Sequence, residues 1–402
     1  MKKSIIALSV TAAMASAAQA QNVSITGIMD AMYLSGKHFG QTYKEIGQNG
    51  ARTTSVQILG TEDLGGGLRA NFRFEVQPLL IAGDGNGYNT AANSGSTGAV
   101  AANGTAQTTG QASQQSGLTG KGYSFVGISG GFGSVELGTI NSPSFRTFAL
   151  ASGALGTGIG SGYGITLGST ATNNFTRFEN AAMYQTPNIN GIQGQVLFSP
   201  GNDSQFGAST GLFQRRQKVT DMGLQYVAGP LSVRGSVLSR KTAPNEAASS
   251  ATAPNASNVE TTITSIAASY DLGFARVGAM TSNLKDDGGS TSGGLTGKTD
   301  TEAYGFNVTV PMGAIRLLAN YTQRSTNESP VTALEGKKST VTGVGAEYTL
   351  SKRTFVYARY ESGKRLDVHA STVITSGALG TSTQAVSDGR ISRTGVGISH
   401  QF

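Results

Sequence analysis

Leu68-Arg69-Ala70-Asn71-Phe72-Arg73-Phe74-Glu75-Val76-Gln77 alternates without a break: Leu68, Ala70, Phe72, Phe74 and Val76 against Arg69, Asn71, Arg73, Glu75 and Gln77. Successive side chains of a strand point to opposite faces, so this stretch makes a strand with one oily face and one ionic face. A helix would scatter both sets around its circumference. Residues 22–34 repeat the pattern, with Val23, Ile25, Gly27, Met29, Ala31 and Tyr33 opposing Ser24, Thr26 and Asp30.

Extending the same count along the chain gives strands near 22–34, 50–60, 67–78, 121–130, 133–140, 174–187, 192–199 and 217–228. The second half adds 231–241, 260–271, 274–283, 301–310, 314–324, 339–350, 353–362 and 390–402, sixteen in all. Between them very short turns, such as Gly130-Gly131-Phe132 and Ala228-Gly229-Pro230, alternate with long polar connections near 35–49, 79–120, 141–173, 200–216, 242–259, 284–300, 325–338 and 363–389. That asymmetry is the pattern of a membrane barrel with short turns on one side and long loops on the other. The Gly/Ser/Ala/Thr-rich run 86–120 has the composition of a linker, but its place between two strands makes it a surface loop.

Alternation is shared by soluble sandwiches, and the aromatics separate the two cases. Tyr184, Tyr226, Tyr270, Tyr348 and Phe402 fall on the oily face where a strand runs into a short turn or the C-terminus. Tyr33, Tyr304, Tyr321 and Tyr360 fall on the same face at the opposite strand ends. Two belts at the two boundaries of an apolar band are what a bilayer selects. A strand of about 10 residues, rising about 3.3 Å each and tilted about 40°, spans about 25 Å, the height of that band. The fold class is therefore all-β: a transmembrane antiparallel barrel of sixteen strands.

The composition agrees. Among 402 residues there are 57 Gly, 9 Pro and no Cys, which suits thin strands and polar loops and removes thiol nucleophiles, Cys-ligated metals and disulfides. Met1-Lys2-Lys3, an apolar run 5–15 and Ala18-Gln19-Ala20 read as a signal peptide over residues 1–20, leaving 21–402 as a single barrel in the outer membrane. Beyond it no apolar run is long enough for a helical span.

Five stretches stand at turns or strand ends along the chain: Gly60-Thr61-Glu62-Asp63-Leu64-Gly65-Gly66-Gly67-Leu68, Ser129-Gly130-Gly131-Phe132-Gly133 with Val135-Glu136-Leu137-Gly138, Tyr184-Gln185-Thr186-Pro187, Tyr348-Thr349-Leu350-Ser351-Lys352-Arg353-Thr354 and Gly395-Val396-Gly397-Ile398-Ser399-His400-Gln401-Phe402. As a set they resemble the Gram-negative general diffusion porins, in the branch typical of β-proteobacteria. The resemblance implies a water-filled channel for small inorganic ions and hydrophilic solutes. It further implies a homotrimer, a third long loop folded inward, and a terminal Phe402 read as a signal by the barrel-assembly machinery. Outer-membrane lipid and lipopolysaccharide would surround it. Relatives often carry Arg at positions that look equivalent to Ser55, Leu59 and Met183, and carboxylates in the third loop, where residues 141–173 here hold one charge, Arg146.

Facing parity sends Arg69, Arg73, Arg177, Arg234, Arg240, Arg276, Arg316, Arg324, Arg359 and Arg393 to the lumen with Asp30, Glu75, Glu136, Glu179, Asp221, Glu347 and Glu361, a surplus of three positive charges. The pore-lining candidates are Asp30, Arg69, Arg73, Glu75, Glu136, Arg146, Arg177, Glu179, Arg316 and Arg359, with an anion preference expected from the Arg69–Arg73 stripe. The plain alternative is that these charges pair with each other and merely hydrate the wall. A barrel hydrolase needs a histidine beside a nucleophile and an orienting carboxylate; His38 and His369 lie in long connections without a nucleophile motif nearby, and His400 falls on the outer face beside the C-terminus, a place for a lipid-headgroup role. A sugar-specific channel needs an aromatic track, and Tyr123, Phe125, Phe355 and Tyr357 form none by sequence. Gly156-Thr157-Gly158-Ile159-Gly160 lacks the spacing of a phosphate loop. No cofactor, metal, catalytic residue or nucleic-acid partner is expected. Deleting Phe402 should lower the yield of heat-modifiable barrel in outer-membrane fractions and leave unfolded chain in the periplasm; an unchanged yield would refute its role as an assembly signal.

Overall fold

The computed structural model describes residues 22–38, 41–78, 122–163, 166, 175–200, 218–242, 259–287, 297–329, 335–364 and 390–402. The expected signal peptide, the run 86–120, His369 and much of the long connections lie outside the described residues. The first strand segments are β1 (Asn22–His38), β2 (Gln41–Gln48), β3 (Ser55–Gly65), β4 (Leu68–Val76), β5 (Ser124–Gly130) and β6 (Gly133–Asn141). After a helix, α1 (Pro143–Ser152), come β7 (Arg177–Gln185), β8 (Ile192–Ser199), β9 (Lys218–Ala228), β10 (Leu231–Thr242), β11 (Val259–Asp271) and β12 (Arg276–Asp286). The last are β13 (Thr299–Met312), β14 (Ile315–Glu328), β15 (Lys338–Ser351), β16 (Thr354–Lys364) and β17 (Arg390–Gln401).

These segments form one antiparallel sheet that closes on itself. Along β1, Ile28 stands opposite Gln401 and His38 opposite Ile391 of β17. The other edge of β1 is shared: its first half pairs with β3, Ile28 opposite Ser55, and its second half with β2, Ala31 opposite Gln48. Seventeen segments thus fill sixteen wall positions. Residues 35–49, expected as a loop, are largely strand in β1 and β2, and residues 50–60, expected as one strand, begin pairing only at Ser55. The chain leaves the sheet at Asn49, whose φ of 67° is left-handed and whose Oδ1 accepts from Thr54 N at 2.6 Å. Asparagine tolerates that conformation and closes such turns with its own side chain.

All nine belt aromatics are exposed on the outer face of the isolated chain, together with Ile25, Phe72, Val126, Leu224, Ile266 and Val396 of the apolar band. Lipid is the environment that covers a surface of this kind. The inner face is less uniformly polar than the alternation suggests. Met183, Leu197, Leu238 and Ile263, all on inward positions, are buried with Ile140 and Phe175 in a cluster inside the barrel. A second cluster gathers Phe148, Ala151 and Tyr163 against Ala267 and Met280, and a third joins Met32, Leu34 and Tyr357 to Ile159. Residues after α1 in the third connection therefore have their own small core against the wall.

Closure ends on Phe402. Its backbone exchanges two hydrogen bonds with Gly27, N to O at 3.1 Å and O from N at 3.0 Å, and Thr26 Oγ1 donates to its carbonyl at 2.7 Å. A Cβ at residue 27 would run into the Phe402 ring and the Ser55 carbonyl. Gly27→Val should destabilise the folded barrel by about 1–3 kcal/mol, measured by urea unfolding of the refolded protein. Gly131→Ala, at a turn with open space around it, should leave the midpoint unchanged.

Candidate functional site

Among the described residues, two segments leave the wall and meet inside. The first is the break 49–54, held by Asp30. Its Oδ1 accepts from Gly50 N at 2.8 Å and from the Tyr357 hydroxyl at 2.7 Å, while Oδ2 accepts from Arg52 N at 3.0 Å and Ala51 N at 3.3 Å. The second is the third connection. Ser142 caps α1 by accepting from Phe145 N at 2.9 Å, and Pro143 opens it without needing a donor. Asp221 on β9 accepts from both Ser144 N (2.9 Å) and Ser144 Oγ (3.0 Å), a carboxylate set at the positive end of the helix. Residues 144, 147, 148, 151 and 152 form its buried face.

Past α1 the chain crosses to β14–β16. Arg359 donates to the carbonyls of Leu155 (3.0 Å) and Ala154 (3.1 Å), and Glu361 accepts from Gly160 N at 2.7 Å. Asn320 Nδ2 donates to Gly160 O at 2.9 Å. Gly160 has φ +85°, and the approach is so close that a Cβ on Gly343 would overlap its backbone. The tip then touches the break in the sheet: Ile159 N donates to Gly50 O at 2.9 Å.

Behind this crossing lies a buried ionic network. Glu347 binds Arg316 with one oxygen and Arg359 with the other, the latter at 2.7 Å, and Glu361 takes Arg393 at 2.8 Å. Arg359 is 1% exposed and Glu347 3%, so their charges are satisfied by each other and by the loop carbonyls rather than by water. Burial of this kind is tolerated only when every partner is present.

Between the two inward segments and β3, β4, β7 and β14 is a cavity of about 450 Å³. The third connection contributes Phe145, Phe148, Ala149, Ser152, Gly153, Ala154, Gly156 and Thr157, the break contributes Ala51, Arg52 and Thr53, and the wall side carries Ile28, Ser55, Gln57, Arg73, Glu75, Gln77, Asn141, Arg177 and Arg316. Among the described lining residues four arginines stand with one glutamate, a surplus of three positive charges. Arg73 is paired with Glu75 at 2.6 Å and lies 4.9 Å from the Tyr123 ring centre, while Arg177 Nε donates to Asn141 Oδ1 at 2.7 Å.

Of the expected pore-lining residues, the structure brings Arg73, Glu75, Arg177 and Arg316 together. Asp30 (0% exposed) and Arg359 are not accessible from the cavity; they are spent on backbone groups of the two inward segments. Arg69 is exposed near the Gly65–Gly67 turn, opposite Asp63 and Ser129, and is outside the lining. The cavity's charge therefore does not come from an Arg69–Arg73 stripe. Arg146 points to Gln185 and to the Tyr123 hydroxyl, which donates to Glu136. Glu179 is exposed beside Asn180, a residue of positive φ.

Arg52 is the lining residue that parity missed, because a continuous strand through residues 50–60 would turn it toward lipid. A lipid-facing arginine costs about 2–4 kcal/mol at mid-bilayer but about 0–1 kcal/mol near the interface, where the third residue of such a strand lies, so the signal that the strand breaks is faint, and Asn49-Gly50 marks where. The helix announced itself less plainly, through Ser142-Pro143 followed by Phe145, Phe148 and Ala151.

A profile described as Gram-negative porin matches residues 7–400. Outer membrane porin protein 32 of Delftia acidovorans is 27% identical over 413 residues, with both chains wholly covered. Among solved structures, an anion-selective porin from Comamonas acidovorans superposes with a TM-score of 0.68 at 23% identity, covering 95% of this chain and all of the other. A trimer form of OmpT from Vibrio cholerae does so with a TM-score of 0.60 at 14% identity and the same coverage. Replacing Arg359 by Ala should cost about 3–5 kcal/mol, because Glu347 keeps a buried charge with one partner removed. The loss should appear as a lower unfolding midpoint and as faster protease cleavage between residues 153 and 160.

Proposed function

The chain belongs to the Gram-negative porin family, and from that premise we propose that its pore passes anions in preference to cations at the constriction between residues 49–54 and the third connection. The barrel is an outer-membrane channel rather than an enzyme. The observation that carries the preference is the cavity itself, where, among the described residues, Arg52, Arg73, Arg177 and Arg316 line the space with Glu75 as the one carboxylate. A surplus of positive charge in a narrow, low-dielectric passage raises the local anion concentration. Salt screens exposed charges beyond about 8–10 Å, so the preference is modest and strongest at low ionic strength.

The solute range is general. The described inward aromatics with ring contacts fall in separate local groups, Tyr123 with Phe125 at 5.1 Å and Phe355 with Tyr357 at 6.1 Å on the wall, and Phe145, Phe148 and Tyr163 on the third connection, rather than in a slide along the channel. A trimer of three independent pores, a signal peptide removed after residue 20, Phe402 as the assembly signal and lipopolysaccharide around the barrel complete the reading. The trimer-form OmpT structure supports the first of these by fold alone.

Purified protein in planar bilayers should insert in steps made of three equal conductance levels, and a salt gradient should give a zero-current potential of anion-preferring sign. Changing both Arg177 and Arg316 to Glu alters the cavity by four charges, from a surplus of three to a deficit of one, and should reverse that sign at low salt. A cation-preferring wild type, or a double variant with unaltered potential, would reject the proposed selectivity.

A further inference from the structure

The four cavity arginines are not equivalent. Arg73 and Arg316 are each ion-paired, to Glu75 and Glu347, and Arg177 is fixed by Asn141. Arg52 differs from the two ion-paired ones: its guanidinium carbon lies 4.9 Å from the Phe355 ring centre and, as Arg177 does with Asn141, it reaches a neutral amide oxygen, that of Gln401, at 3.4 Å. A cation held against a ring and an amide keeps more of its field for the passage than one neutralised by a carboxylate at contact distance.

Arg52 is also the one of the four that no strand carries, because it lies in the break 49–54. A short excursion between two strand ends has no ladder to fix it. Here the carboxylate of Asp30 accepts from three consecutive amides, Gly50, Ala51 and Arg52, and is itself oriented by the Tyr357 hydroxyl. Hydrogen bonds donated to an ionised acceptor are about twice as strong as neutral ones. Asp30 is wholly buried and outside the cavity lining, so it cannot act by touching a permeating ion.

We propose that Arg52 is the selectivity-determining cation of this pore, and that Asp30 and Tyr357 are positioning residues that hold it in the passage. The proposal rests on the anion-preferring reading of the cavity and assigns that preference to one residue and its support.

The sign of one substitution separates positioning from simple electrostatics. If Asp30 mattered only as a negative charge inside the barrel, Asp30→Asn would raise the anion preference. If it positions Arg52, the same change lowers the preference, since Asn supplies one acceptor oxygen where the carboxylate supplied two. Zero-current potentials in a KCl gradient should therefore show Arg52→Gln and Asp30→Asn each moving the chloride-to-potassium permeability ratio most of the way toward unity. Tyr357→Phe should reduce it less. In the Arg52→Gln background, Asp30→Asn should cause no further fall, a result that a merely structural defect would not give. Heat-modifiable migration checks that each variant is a folded barrel.

An Asp30→Asn pore that is unchanged or more anion-selective overturns the positioning role, and an unchanged Arg52→Gln pore overturns the assignment to Arg52. Should Asp30→Asn fail to assemble, Tyr357→Phe decides by the same ratio, a fall supporting the proposal and constancy refuting it. A wild type without anion preference would reject the parent reading. The direction in which the variants depart from that wild type would still decide this one.

Discussion

An unpaired strand edge in hydrocarbon has no water to satisfy its amides and carbonyls, and each unmet group costs several kcal/mol. The pairing of β1 with β17, from Ile28 opposite Gln401 to His38 opposite Ile391, removes that edge. Everything else follows from closing the sheet. Once it is closed, the period-two pattern can present only one face to lipid, and Ile25, Phe72, Leu224 and Val396 take it. The other set of side chains is then committed to an interior too wide for wall residues alone to fill. Water fills most of it. Where it does not, the chain itself must enter.

Entry into the lumen sets a second requirement, because a connection that leaves the wall carries backbone groups away from any ladder. The third connection meets it with a helix over residues 143–152 and, beyond the helix, with side chains sent across from the facing strands. Asp221, Asn320, Arg359 and Glu361 take up amides and carbonyls of residues 144–160. Apolar contacts close the gaps, as with Ile159 against Met32 and Leu34. Charged residues suit this work in a barrel wall. Arginine can donate five hydrogen bonds from a rigid fork, so Arg359 serves three carbonyls, those of Gly50, Ala154 and Leu155, and Glu347 at once. The price is specificity of pairing: Glu347 must be there.

The sequence makes the wall legible because alternation is local and repeated. Leu68 to Val76 shows its faces within ten residues, and the belts of tyrosines mark the two membrane boundaries without reference to any contact. What lies inside the wall is much less legible. The break at Asn49 costs the pattern only a few residues, and the strand segments on either side still alternate, so a single strand over 50–60 fits the period while misplacing Arg52. Helix α1 is short, and it is stabilised by Asp221, more than seventy positions away in the chain, rather than by its own propensity. Long-range hydrogen bonds of this kind have no period to read.

Charge counting shows the same limit from another side. Parity over the whole lumen and the lining of the cavity both give a surplus of three positive charges, yet the residues behind the two totals differ. Asp30, Arg359, Glu347 and Glu361 enter the first total and are withdrawn from the second, because they are buried in contacts that hold the inward segments. Arg52 enters only the second. A lumen charge acts on an ion according to whether it is paired and how near it stands to the narrowest passage, since exposed charges fade over about 8–10 Å of salt solution. Selectivity in this barrel is therefore fixed less by the sum of wall charges than by the hydrogen bonds that decide which of them reach the passage unneutralised.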